Sequence, residues 1–393
     1  MTFLTRTALA SPLALAVALP AAADYGPIEA RDLTLDVETV AEGLVHPWGM
    51  AFLDEDRVLV TERNPGTIRL VHRDGTLSEP IWEAEDLFRY DGETERSQAG
   101  LFDIVTHPQF DENGWVYISY SRETEAGAGV AVVRARVAQE GDEVRLEDVE
   151  DIFVMNEEDQ DSSGLHFGGR MAFADDGSLF LTIGERRNIS RAQDASDQAG
   201  SVLRMTEDGE AHPDNPEFAT DPEADEGAPD PYLFSIGNRN IQALAVHGTT
   251  GEVWASDHGP LGGDEINLIV AGNNYGWPFT TGGNDYSGAP MGVGTAMEGM
   301  TPPVHIFEDT VAPSGLTFIP EGTLFEGWAG DMLIGGLVTE GIVRVTLAEG
   351  EVSDEEILEI GRRIRDVQLG PDGAIWVLTE HEDGEVLRLA PQG

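Results

Sequence analysis

The sequence predicts an all-β fold, a six-bladed β-propeller with four-stranded antiparallel blades. One motif recurs six times along 393 residues. Each copy holds strands of about five residues, rich in Val, Ile, Leu, Phe and Trp and bounded by Gly, Asp and Asn. A helix-period pattern of useful length is absent.

The first copy reads PWGMAFLDEDRVLVTERNPGTIRLVHRDG (Pro47–Gly75) and the second GLFDIVTHPQFDENGWVYISYS (Gly100–Ser121). The third is GGRMAFADDGSLFLTIGE (Gly168–Glu185), and the fourth NIQALAVHGTTGEVWASDHG (Asn240–Gly259). SGLTFIPEG (Ser314–Gly322) opens the fifth, and RDVQLGPDGAIWVLTEHEDGEVLRLAP (Arg365–Pro391) is the sixth. No copy can bury its own faces, so neighbours must pack on one another. Closure into a ring removes exposed sheet edges. The segment Leu33–Val40 is expected to complete the last blade. A pair of β-sandwiches is the structural alternative. The long polar loops Glu185–Ala199, Asp208–Asp230 and Asn273–Pro303 are expected to gather at one mouth of the channel, where a rigid scaffold can carry a site.

Ahead of the repeats, Arg6 precedes an apolar run from Ala8 to Leu19, and Ala21, Ala22 and Ala23 form a small-residue cleavage site. That is the layout of a secretory signal peptide over residues 1–23, leaving 24–393 as the propeller and implying a periplasmic or secreted protein. The formal charge of −50 comes from 73 acidic residues against 23 basic ones, all of them Arg. Such a field repels nucleic acid and anionic lipid and favours solubility. With no Cys, disulfides, thiolate metal sites and iron–sulfur clusters are excluded.

Five segments could carry chemistry. In GLHFGGR, His166 stands among glycines just before a strand, and its near-neutral pKa suits a general base. Glu185 ends the paired strand and could orient that imidazole. DHGPLGGDEINLIVAGNNYGWP packs oxygen donors closely: Gly259 and Pro260 offer carbonyls and Glu265 a carboxylate, the ligand types calcium takes. In GRRIRDVQLGPDG, Arg363 and Arg365 lie two apart and face one way on a strand, a pairing that grips carboxylates. GNRNIQ adds Arg239 and Asn240, and SQAGLFD adds Gln98. Each feature has a plain structural alternative: a surface carboxylate, an inter-blade turn, a salt bridge. Ring closure would bring all five segments to one mouth.

Together these residues resemble the soluble PQQ-dependent sugar dehydrogenases of the glucose/sorbosone dehydrogenase family, and among them the bacterial aldose sugar dehydrogenases. HPWGMAF, QAGLFD, LHFGGR, GER, DNPEF, GNRN, DHGPLGGDEIN, NYGWP, APSGLTF and RIRDVQLGPDG carry the likeness, from about Val40 to Leu389. The resemblance implies a six-bladed propeller using pyrroloquinoline quinone (PQQ) and Ca²⁺. His166 would take the C1 hydroxyl proton of an aldose while hydride passes to the quinone, giving an aldonolactone. Glu185 would support His166. Gln98, Arg239, Asn240, Arg363 and Arg365 would hold PQQ, with Arg365 also stabilising charge on the reduced quinone. Gly259 and Pro260 would give carbonyls to the cofactor's calcium, and Glu265 and Tyr275 match positions tied to a further calcium. The expected partners are an aldose and a separate electron acceptor, with no nucleic acid, no membrane insertion, and a monomeric or homodimeric state.

The chain departs from the family pattern at three places. Val338 stands where glucose-type members place a Lys. Asn238, Ile241 and Ala243 alter the GHRNPQG pattern. Arg186 and Arg187 follow Glu185 in a loop that shapes the sugar pocket. Two rivals stay open: a calcium-dependent lactonase and a binding propeller without chemistry.

Overall fold

The structure, a computed structural model, describes residues 25–90, 97–141, 143–219 and 227–393. The proposed signal peptide, residues 1–23, lies outside them. Six antiparallel sheets follow one another along the chain, five of four strands and one of five. The first strand of each blade is Pro47–Phe52, Leu101–Thr106, Met171–Phe173, Ile241–Val246, Pro313–Phe318 and Ile364–Leu369 in blades 1 to 6. Among the described residues, helix is confined to single turns such as Phe110–Asn113.

The ring is closed by Thr34–Leu44, which pairs antiparallel with Gly384–Pro391 from Leu35↔Pro391 to Leu44↔Gly384. That segment runs longer than Leu33–Val40, and Ile28–Glu29 adds a fifth strand outside it. Blade 6 is therefore woven from the sixth repeat and the segment that precedes the first.

The apolar core is divided into six clusters, each seated between two adjacent blades. Strand periodicity explains the division. Successive side chains leave a strand on opposite faces, so Val58 and Val60 pack toward blade 6 while Leu59 packs toward blade 2. Every blade is thus apolar on both faces, and none could stand alone in water.

The axis is built differently. Five of the six first strands carry a register shift near their inner end. Such bulges re-aim side chains. Around the ring, the residue three before the end of each first strand is Gly49, Asp103, Arg170, Ala243, Gly315 and Asp366 in turn. Three are charged and three are small. Arg170 Nη1 donates to Asp366 Oδ1 at 3.0 Å and to Asp103 Oδ1 at 3.3 Å. Its other nitrogens donate to the carbonyls of Gln242 and Arg365, and its guanidinium lies 4.0 Å over the Trp48 ring. The free carboxylate oxygens accept from Met50 N and Met171 N. Burial pushes both carboxyls up, Asp366 to about 6, against the pull of Arg170. The glycines make this plug possible: a Cβ at Gly315 would lie 2.0 Å from Asp366 Oδ1, and one at Gly49 would lie 2.7 Å from Asp103 Oδ1.

Two substitutions test this axis by thermal unfolding. Arg170→Met strands two buried carboxyl groups and is expected to cost about 3–5 kcal/mol. Gly315→Ala drives a methyl into Asp366 and is expected to cost about 1–3 kcal/mol. Unchanged melting midpoints in both would refute the account.

Candidate active site

The loops that lead into the first strands meet at one mouth. A cavity of about 350 Å³ opens there, lined from all six blades, by Trp48, Gln98, Asn240, His258, Arg363 and Arg365 among others. Four of the sequence-selected residues, Gln98, Asn240, Arg363 and Arg365, therefore face one space. His166 joins them through its backbone: its N–H donates to Gln98 Oε1 at 2.7 Å, and the following Phe167 and Gly168 line the cavity.

His166 is held in a left-handed backbone conformation, φ +49°, which a non-glycine residue adopts only under constraint. Its ring Nδ1 meets the buried Glu185 carboxylate. Nε2 has no hydrogen-bond partner among the described residues and is not sealed from solvent. The pair is a buried imidazole fixed on one nitrogen and free on the other. Burial lowers the His166 pKa below its ordinary 6.5, with Glu185 opposing. The ring is therefore neutral at pH 7, the form a base needs.

Asp257 sets the next segment. Its carboxylate accepts from the backbone N–H of Arg239 at 2.7 Å and of Asn240 at 2.6 Å. Burial raises that carboxyl to about 6 despite both bonds. Asn240 Oδ1 then accepts from Gly168 N at 3.2 Å, joining blades 3 and 4 beside His166. Arg239 reaches the His258 carbonyl and the Tyr286 hydroxyl and lines a smaller adjoining pocket rather than the main cavity.

The arginine pair converges on a residue absent from the sequence-selected set. Glu380 Oε2 accepts from Arg363 at 2.9 Å, and Oε1 from Arg365 at 2.8 Å and Arg63 at 2.7 Å. Burial alone would raise Glu380, but the guanidiniums of Arg365, Arg63 and Arg363 outweigh it and hold the carboxyl well below the usual range. Burial brings Arg365 down to about 10, so it stays charged at neutral pH. Its Nε is buried without a partner.

The oxygen-rich turn borders this cavity, with His258 lining both pockets. Gly259, Glu265 and Tyr275 line the small adjoining pocket, while half-buried Pro260 is not among its lining residues. Glu265 has one long bond, from Asn267 Nδ2 at 3.4 Å, and burial raises it to about 8, with the charge of Asp257 adding. The Tyr275 hydroxyl is committed to its own segment, donating to Leu268 O at 2.5 Å and accepting from Val270 N at 2.8 Å. Only its carbonyl remains to serve a cation. Among the described residues no three His, Cys, Asp or Glu side chains form a metal-holding group.

Arg186 turns inward, packed 3.5 Å over the Phe167 ring with Nη1 on Leu165 O, whereas Arg187 is exposed over Tyr286. Val338 lines the main cavity and is uncharged. Sequence reasoning missed Arg63, Glu380, Asp257 and His258. A usable signal existed: Arg63, His258 and Glu380 each directly follow the second strand of a blade, Arg57–Glu62, Val253–Asp257 or Ile375–Thr379.

A six-bladed ring with a constrained His–Glu pair and a guanidinium-lined cavity at its mouth defines the candidate site of a propeller enzyme. The chain belongs to the glucose/sorbosone dehydrogenase family, which matches residues 44–388. Aldose sugar dehydrogenase YliI of Escherichia coli is 33% identical over 92% of this chain and 95% of its own. The crystal structure of the soluble aldose sugar dehydrogenase from Escherichia coli in the apo-form superimposes with TM-score 0.82 at 34% identity, over 91% of this chain and 100% of that one. The PQQ-bound form of aldose sugar dehydrogenase from Streptomyces coelicolor superimposes with TM-score 0.71 at 27% identity, over 91% and 98%. The family is one of sugar-oxidising oxidoreductases.

The His–Glu pair gives a direct test by NMR of the ring nitrogens. His166 is expected to titrate below 6.5, and lower still in Glu185→Gln, because the carboxylate is what opposes the burial shift. A His166 pKa above 6.5 would contradict the described environment.

Proposed function

We propose that the protein oxidises aldose sugars at C1 to aldonolactones with PQQ and Ca²⁺, using His166 as general base. The observation that carries this reading is the charge of the cavity. Three guanidiniums, from Arg63, Arg363 and Arg365, share one carboxylate, Glu380, in a chain of net charge −50. A surplus of positive charge in so acidic a protein fits a ligand bearing several carboxylates. The unpartnered Arg365 Nε is a donor awaiting an acceptor. PQQ-bound aldose sugar dehydrogenase among the structural relatives supports the same choice.

Gln98, Asn240, Arg363 and Arg365 would hold the cofactor in the cavity, with Arg239 beside it and Arg365 stabilising the charge it gains. When bound, PQQ would supply the acceptor for the sugar's C1 hydride, and a calcium that the Gly259 and Pro260 carbonyls would hold would polarise it. His166 Nε2 takes the C1 hydroxyl proton, and Glu185 on Nδ1 fixes the ring and stabilises the imidazolium that forms. Glu265, a raised and poorly bonded carboxylate, with the Tyr275 carbonyl, would hold a second calcium. The lactonase reading needs a cation in the central cavity, and three arginines there oppose it. The leading segment is proposed to be a cleaved export signal, placing the enzyme in the periplasm or outside the cell.

The test follows dye reduction by purified protein given PQQ, Ca²⁺ and a panel of aldoses. Reduction is expected to require PQQ and calcium and to fall by about 100-fold or more in His166→Ala. The active form of His166 is neutral, and burial depresses its pKa. Activity should therefore persist through neutral pH and be lost only as pH falls through a value below 6.5. Lactone hydrolysis without PQQ would overturn the proposal in favour of the lactonase.

A further inference from the structure

We propose that Arg63 is a third anchoring cation for the anionic cofactor, delivered from blade 1 into the cavity that Arg363 and Arg365 line from blade 6. This rests on the PQQ reading and extends it to a residue outside the set matched by family motifs.

The position of Arg63 is built into the ring. Directly after the second strand of blades 1, 4, 5 and 6 stand Arg63, His258, Leu337 and Glu380, and all four line the cavity. Arg63 N donates to His46 O, and Arg63 O accepts from Leu101 N, both at 3.0 Å. A Cβ at Gly100 would lie 2.4 Å from Arg63 Cγ, so blade 2 presses on the stem of the side chain. The guanidinium is aimed rather than loose: 12% of the side chain is exposed, and Nη1 meets Glu380 at 2.7 Å.

Neutralising Glu380 does not require Arg63. Arg365 and Arg363 already contact both of its oxygens. The third guanidinium is surplus to the carboxylate and adds to the unmatched positive charge of a pocket whose lining also includes Trp48, Phe102, Phe167 and Leu337. Keeping like charges together there is unfavourable until an anion enters, so each guanidinium strengthens anion binding. Val338 lines the same cavity without charge, which leaves blade 5 with no cation to offer.

Titration of PQQ into calcium-loaded protein, followed by tryptophan fluorescence with Trp48 as the cavity reporter, tests the assignment. Arg63→Met is expected to weaken the PQQ dissociation constant about tenfold or more and to flatten its salt dependence. Arg63→Lys should recover most of the affinity. Val338→Lys in the Arg63→Met background should also recover it, by returning a charge to the cavity from another blade. A dissociation constant unmoved in Arg63→Met overturns the inference while the PQQ reading stands. Weakened binding that neither lysine recovers, in protein that melts normally, also overturns it, because charge is then not the cause. Wild-type protein that fails to bind PQQ at micromolar concentration removes the PQQ reading, and this inference with it.

Discussion

The buried contact of Arg170 with Asp103 and Asp366 is the constraint on which the molecule is organised. Charges removed from water are costly unless paired and fully hydrogen-bonded, and this set is nearly saturated. One arginine from blade 3 holds carboxylates from blades 2 and 6 and carbonyls from blades 4 and 6, and the carboxylates hold the backbone of blades 1 and 3. Apolar clusters between blades supply most of the burial, but they are alike and do not by themselves say which blade lies opposite which. The axial ion set does, because only one angular arrangement satisfies it. The same carbonyl that Arg170 grips belongs to Arg365, so the plug positions the floor of the cavity directly.

Charge of both signs is gathered around the site. In a chain of net charge −50, guanidiniums line the main cavity, and the raised carboxyl groups of Asp257 and Glu265 line the small pocket beside it. Each set is unfavourable alone. Arg365 is lowered by burial, and Glu265 is raised by burial and by its neighbour. A site holding an anion beside a cation would relieve both, whereas an apolar ligand would relieve neither. The constrained backbone of His166 belongs to the same economy of position, since a relaxed φ would turn the imidazole away from Glu185.

Much of the fold was legible because repeat, strand length and turn residues agree at every copy. The sheet count, the first strands and the role of the N-terminal segment all follow from that agreement. The fifth strand of blade 6 was not legible, since two residues, Ile28 and Glu29, carry no period. In the site, His166 and the Arg363/Arg365 pair stand out by composition: a histidine among glycines and two arginines at strand spacing. Arg63 and Glu380 do not, because each looks like an ordinary charged residue at a strand end. Their meaning appears only when the ends of second strands are compared around the ring. Asp103 and Asp366 were visible as lone carboxylates inside apolar strands, yet without the ring there was no partner to assign them. The signal-peptide reading concerns residues that the described structure does not include.

The strand Thr34–Leu44, laid against Gly384–Pro391, has a consequence for how the cavity comes into being. Leu35 precedes the first repeat and Pro391 ends the sixth, so the last blade cannot zip until Gly384–Pro391 has been made. The Arg63–Glu380 contact bridges that same junction between blade 1 and blade 6. Nascent chains would therefore carry five assembled wedges and a gap, with the arginine wall of the pocket split across it. An anion bound across that wall would act as a clasp on the seam, coupling occupancy to the stability of the ring by mass action.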